Sequence, residues 1–196
     1  ALLATAPALF AQSVPFQIDA SHSQVSFNIR HFFTRVNGRF GDFTGTIRLD
    51  EKNLSNSSVE AVIQTASIYT ANEKRDKHLR TSDFFAADSF PTITFRSTKV
   101  TAGEHGTLKI EGNPTIRGVT KPAVLDGNFM GAGAMDLENG MSAGYRAGFE
   151  ASTTINRKDF GILWNGTLNK GGTMLGDDVS IQLGVEAIRA EPEKAA

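Results

Sequence analysis

From Phe16 onward the chain alternates. Val25, Phe27, Ile29 and Phe33 share one parity with His31, while Gln24, Ser26, Asn28 and Arg30 take the other. A period of two with one apolar and one polar face marks a half-buried strand. Asn37-Gly38 reads as a hairpin turn. A second strand over about Arg39 to Asp50 then sets Phe43, Ile47 and Leu49 on one face, with Gly41 and Gly45 as bend points. After a polar turn at Asn53 to Ser58, Val59, Ala61 and Ile63 alternate against Glu60 and Gln64. Similar runs surround Ile93 and Phe95, Leu108 and Ile110, and Leu125 and Phe129. The two longest cover Met141 to Ile155 and Val179 to Ala187.

About eight strands result, nearly all with one wet face, which is the signature of antiparallel sheet. Eight such strands can form a sandwich or close into a barrel, and closure removes the exposed edges. A barrel of eight is just wide enough to be filled by side chains or to hold one slender ligand. Large inward residues (Phe27, Phe43, Phe95, Phe129, Phe149) mix with small ones (Ala61, Ser97, Ala143, Ala147, Ala151). That mixture fits a tunnel and a filled interior equally.

Two stretches break the alternation. Thr70 to Phe95 holds a helix-like insertion over about residues 70–88, with Glu73, Lys74, Arg75, Asp76, Lys77, His78 and Arg80 beside Phe84 and Phe85. Thr70-x-x-Glu73 reads as a capping box, and Asp76 and Arg80 stand i,i+4 as a surface pair. Asn72, Arg75, Asp76 and Leu79 share a helical face, so the segment suits a lid at a barrel mouth better than a reaction centre. The second stretch, Arg157 to Gly176, is a long glycine-rich loop carrying Phe160, Ile162, Leu163 and the single Trp164. Loops of that length with apolar residues of their own are usually lids or binding loops.

Composition narrows the function classes. The 196 residues have a formal net charge of -1, which argues against a nucleic-acid footprint. Phenylalanine supplies 14 residues against 1 Trp and 2 Tyr, favouring apolar lining over wet stacking surfaces. Cysteine is absent from the sequence, so thiolate chemistry, disulfides and cysteine-held metals are excluded. Ala1 to Ser13 resembles the second half of a secretory signal peptide, and no other run approaches the ~20 apolar residues of a membrane span. The expected organisation is a signal remnant over 1–13, one barrel domain over 14–190 and a tail over 191–196, in a periplasmic protein.

Four blocks carry a resemblance: DASHSQVSFNIRH (Asp19 to His31), RDKHLRTSDFF (Arg75 to Phe85) running into FPTITF (Phe90 to Phe95), TIRGVTKP (Thr115 to Pro122) and NRKDFGI (Asn156 to Ile162). In order and spacing they resemble the YceI family over roughly Phe16 to Ile188. Pro114 departs from that pattern, where leucine is usual, and puts the start of its strand in question. The resemblance implies an all-β, eight-stranded antiparallel lipocalin-like barrel with a helical insertion. It also implies a long apolar chain inside: a polyisoprenoid, an isoprenoid quinone or a similar amphiphilic lipid.

The residues expected to line the tunnel are Phe27, Ile29, Phe33 and Phe43 from the early strands, and Ile63, Phe84 and Phe85 from the middle. Phe95, Phe129 and Phe149 follow from later strands, with Phe160 and Trp164 from the long loop. His31, Arg75, His78 and Asn156 are the candidates for a polar mouth. Each buried methylene is worth about 0.8 kcal/mol, so the tail supplies ample affinity and specificity falls to a few polar groups. No catalytic cofactor is expected. A bound isoprenoid lipid or quinone is, with transient membrane or membrane-protein contact and a homodimer left open.

Two other chemistries weigh less. His22 and His31 lie on opposite parities, His105 sits in a turn, and no HExxH occurs, so a metal site has little support. Asp76 and His78 could pair as carboxylate and base, but no nucleophile elbow accompanies them. A filled barrel acting as an interaction partner or stress-related sensor for a membrane redox protein is the rival from another class.

Overall fold

The computed structural model describes residues 13–169 and 171–190. The signal-like segment, apart from Ser13, and the C-terminal tail lie outside them. Twelve strands form one antiparallel sheet: β1 (Val14–Ile18), β2 (Gln24–His31), β3 (Thr34–Phe40), β4 (Phe43–Leu49), β5 (Ser58–Gln64), β6 (Ile68–Tyr69), β7 (Thr92–Ala102), β8 (Thr107–Ile116), β9 (Val119–Thr120), β10 (Ala123–Asp136), β11 (Ser142–Asn156) and β12 (Leu175–Arg189). One helix, α1 (Glu73–Arg80), interrupts them.

The sheet closes because β1 pairs with β4 on one side and β12 on the other. β12 is shared, pairing with β2 from Leu175 to Gly184 and with β1 from Ala187 to Arg189. β1 and β2 therefore act as one wall strand bent at Asp19–Ser23, and β3 and β4 as one bent at Gly41–Asp42. With β5, β7, β8, β10, β11 and β12 they make a closed barrel of eight wall strands.

The first corner is held electrostatically. Asp19 accepts from the Ser21 amide at 3.1 Å and from the Ser21 hydroxyl, and pairs with His22 Nδ1 at 2.8 Å. The Arg146 guanidinium, from β11, donates to Asp19 at 2.9 Å and also to Glu186 on β12. Three wall elements are thus stapled where the chain bends. Asp19, His22 and Glu186 are also the one group of metal-type ligands gathered among the described residues. They surround Arg146, which supplies the cation.

The expected turn at Asn37-Gly38 is not a turn. Both residues lie inside β3, opposite Asn28 and Phe27, and the hairpin instead reverses at Phe32-Phe33, with His31 facing Thr34. Gly38 is needed for another reason. A Cβ built there would stand 2.3 Å from Cζ of Phe27, so the ring lies flat across the neighbouring strand. Phe95 lies across Gly112 in the same way, with 2.4 Å to a built Cβ. Rings laid on glycines hug the wall and leave the centre free. Pro114 sits within β8 opposite Phe95, rather than at the strand's start. There β8 has left β10 for the short strand β9, and the Pro114 carbonyl accepts from the Lys121 amide.

Apolar packing concentrates at the two ends. One cluster gathers Phe40, Ile68, Phe84, Ile116, Phe160 and Leu175 near α1, and the other Phe16, Ile47, Leu49, Ala147 and Ala187 near the stapled corner.

Asp19 is held well below the ordinary carboxylate value of 3.8, first by the Ser21 hydrogen bond, then by His22 and Arg146. A depressed carboxyl adds stability above its unfolded pKa and loses it as pH falls toward the folded one. Asp19→Asn is therefore predicted to destabilise the barrel at about pH 6 and by clearly less at about pH 2.5. Urea unfolding at both values checks this, and a gap independent of pH would contradict it.

Candidate functional site: the barrel cavity

The barrel interior is an open cavity of about 1140 Å³ that runs from α1 toward the base and presents a mainly apolar surface. Strand periodicity puts Phe27, Ile29, Phe43, Ile63, Phe95 and Phe149 on its wall. The two interrupting stretches add Phe84, Phe85, Phe160 and Trp164 at the α1 end. Ten of the twelve residues expected to line a tunnel are thus brought together. The other two are not. Phe33 stands at the hairpin tip with its side chain in solvent, because the chain reverses at Phe32 and the parity that links Phe33 to Phe27 ends at His31. Phe129 packs on Phe149 at 5.3 Å in the base cluster and does not reach the cavity surface.

Basic groups gather at the α1 end. Of the four mouth candidates, His31, Arg75 and His78 line the cavity, together with Lys74 and Lys77. Asn156 does not. Its Oδ1 accepts from the Lys158 amide at 3.0 Å, capping the turn Arg157–Phe160, and it faces an outer groove. Helix α1 starts at Asn72, whose side chain accepts from the Arg75 amide at 3.0 Å, so Thr70-x-x-Glu73 does not form a capping box. Thr70 has a different task. It donates its amide (2.9 Å) and its hydroxyl to buried Asp76, and accepts from Arg75 Nε on that hydroxyl (2.7 Å) and from Arg75 Nη2 on its carbonyl (2.7 Å).

The i,i+4 pair of Asp76 with Arg80 is therefore absent. Arg80 instead donates to the carbonyls of Ala66 and Ile68, tying α1 to the wall. Nor do Asp76 and His78 form a dyad. His78 Nε2 bonds Asp83 at 2.7 Å, and its ring stands edge-on to Phe84 and Trp164, 5.1 Å from each. The imidazole is wedged between both lids.

The residue that sequence reading missed is Arg157, buried at 3% exposure beneath the second lid. Its Nε donates to the Gly176 carbonyl at 2.9 Å, and one Nη to the carbonyls of Ile162 (2.7 Å) and Trp164 (2.9 Å). The other Nη meets Asp177 at 3.3 Å. Burial pushes the guanidinium below its ordinary pKa, opposed by Asp177. Asp177 itself is held low, chiefly by Lys158. A single planar fork thus gathers both ends of the 157–176 loop. Arg117, at the β8–β9 turn, joins the two lids by donating to Gly161 (2.6 Å) and Ser82 (2.9 Å).

A closed antiparallel barrel around an apolar chamber with a helical lid defines a lipocalin-like binding barrel. The chain belongs to the YceI-like domain family, whose profile matches residues 16–187. It is 40% identical to a UPF0312 protein of Pseudomonas paraeruginosa, over 96% of each chain. Among solved structures it is similar to the YceI protein of Campylobacter jejuni, at 30% identity and a TM-score of 0.69, over 83% of this chain and 91% of that one. It also resembles, at 14% identity and a TM-score of 0.66, a polyisoprenoid binding domain from Saccharophagus degradans implicated in plant cell wall breakdown. That likeness covers 90% of this chain and 99% of the domain.

Removing Arg157 would take its donors from three carbonyls, while Asp177 keeps Lys158. Arg157→Ala is predicted to cost about 3 kcal/mol in urea unfolding. Arg157→Lys should recover only part, since an ammonium cannot reproduce the fork. A loss under about 0.5 kcal/mol for Arg157→Ala would contradict the assigned role.

Proposed function

We propose that this protein holds a long-chain isoprenoid, a polyisoprenoid or an isoprenoid quinone, inside its barrel for storage or transport in the periplasm, and that it catalyses no reaction. One observation carries the reading: about 1140 Å³ of largely apolar space with the basic groups of Lys74, Arg75, Lys77 and His78 gathered at the α1 end. At roughly 30 Å³ per heavy atom, the scale of liquid packing, that space takes on the order of forty atoms. A cavity of this length and polarity suits a chain with an apolar tail and a polar head. The head would meet His31, His78, Lys74 and the Arg75 Nη that Thr70 leaves unused. The tail would lie along Phe27, Phe95 and Phe149.

Other features support the same reading. The barrel type is that of the Saccharophagus degradans domain, whose name states the ligand class. The signal-like Ala1 to Ser13 supports a periplasmic setting. A non-carrier interaction module would favour an occluded lumen, and the wall-hugging Phe27 and Phe95 rings keep this one open.

The test is organic extraction of the protein purified from its own host, followed by mass spectrometry. A prenyl lipid near one per protein is expected, and it should fall when Ala61 or Ala151 on the cavity wall is replaced by Phe. Folded protein that yields no lipid would sink the proposal.

A further inference from the structure

The β2–β3 hairpin ends in two adjacent phenylalanines that do nothing for the barrel core. Phe33 is fully exposed and Phe32 is 38% exposed. Phe32 also holds a φ of 50°, a left-handed conformation that Gly or Asn adopts at much lower cost than an aromatic residue. A hairpin shaped by stability alone favours Asn-Gly or a glycine in its turn. Beneath the tip, Arg30 and Arg35 face each other in register, and like charges directly opposite weaken a sheet. Both are exposed. Arg30 Nη1 reaches the Phe32 carbonyl at 3.1 Å, and Arg35 Nη1 reaches Asn28 at 2.6 Å. Arg30 lies against Gly176, and the adjacent Asp177 is already engaged by Arg157 and Lys158. Asp178 is exposed beyond it, while the tip itself, Arg30 to Arg35, holds two arginines and no carboxylate.

The position of the tip matters as much as its composition. His31, one residue before the tip, lines the cavity, and the Phe32 amide donates to the Met174 carbonyl of the second lid at 2.9 Å. That lid exposes Leu163 at 65%. Exposed apolar groups and arginines that form no salt bridge among the described residues thus share the rim of the chamber.

We propose that this tip docks on an anionic lipid bilayer, Phe32 and Phe33 entering the headgroup–acyl boundary while Arg30 and Arg35 meet lipid phosphates. Aromatic and aliphatic side chains beside basic ones are the composition of interfacial membrane anchors. A protein partner fits less well. Stable protein interfaces bury on the order of 1,200 Å² or more, and a two-residue tip offers far less. For its purpose the docking rests on the lipid-holding function, since a mouth pressed to a bilayer lets an insoluble chain enter without crossing water. The two ideas fail separately.

Flotation with vesicles tests it. The wild type should float with vesicles of phosphatidylglycerol and phosphatidylcholine, less with phosphatidylcholine alone, and less as salt is raised. Replacing both rings, Phe32→Ser with Phe33→Ser, should lower partitioning on the order of a hundredfold. Arg35→Glu should abolish the preference for phosphatidylglycerol while residual binding to phosphatidylcholine stays. Unchanged thermal unfolding and an unchanged circular-dichroism spectrum confirm that both variants keep the barrel. A wild type that does not float, or a double-serine variant that floats equally well, overturns the proposal and leaves the tip to a protein partner. Absence of lipid from wild-type extracts, with flotation intact, would strike the carrier reading alone.

Discussion

A barrel that keeps its centre open gives up the dense packing that holds an ordinary core together. About 1140 Å³ of apolar lumen means that many inward side chains have no partner atoms across the axis. Cohesion must come from elsewhere. The wall supplies a closed ring of antiparallel pairing that leaves little free edge, chiefly residues 34–38 of β3, which pair with β2 alone. The two ends supply the packed clusters around Phe40 and Phe16. The rings of Phe27 and Phe95 bury their faces on Gly38 and Gly112 rather than on each other, so the wall gains contact area without closing the chamber.

The remaining weaknesses are corners and lids, and guanidinium groups secure both. Arg146 staples the β1–β2 corner through Asp19 and Glu186. Arg80 fastens α1 to carbonyls beside β6, Arg117 bridges the lids, and Arg157 gathers the loop over the chamber. Arginine suits each place because a planar fork can satisfy several carbonyls at once and stays charged when buried. The four sequence blocks of the resemblance therefore serve as structure more than chemistry. They are the corner, the first lid, the bridge and the second lid.

Much of this was legible in the chain. Alternation alone assigned the wall strands and set Phe27, Ile29 and His31 on the inner face, because a strand's two faces follow parity. Parity fails where a chain reverses, and Phe33 was lost for that reason: the turn came at Phe32 while the glycine that should mark it was spent on Phe27. The helix start was misread because Thr70, a good cap by composition, was drawn to Asp76, leaving Asn72 to cap. Asn156 looked like a mouth residue and proved to be a turn cap. Arg157 stood in the block NRKDFGI, but its role was not legible, since it depends on carbonyls of Ile162, Trp164 and Gly176 that only the folded loop brings together.

The central claim is that the lumen is a chamber for an apolar chain, and a crystal structure of the protein purified from its own host tests it most directly. The account predicts continuous rod-like density that begins beside His31 and His78 and runs past Phe95 toward Phe149. A lumen holding only water, or one closed by Phe27 and Phe95 swung off their glycines, would contradict it.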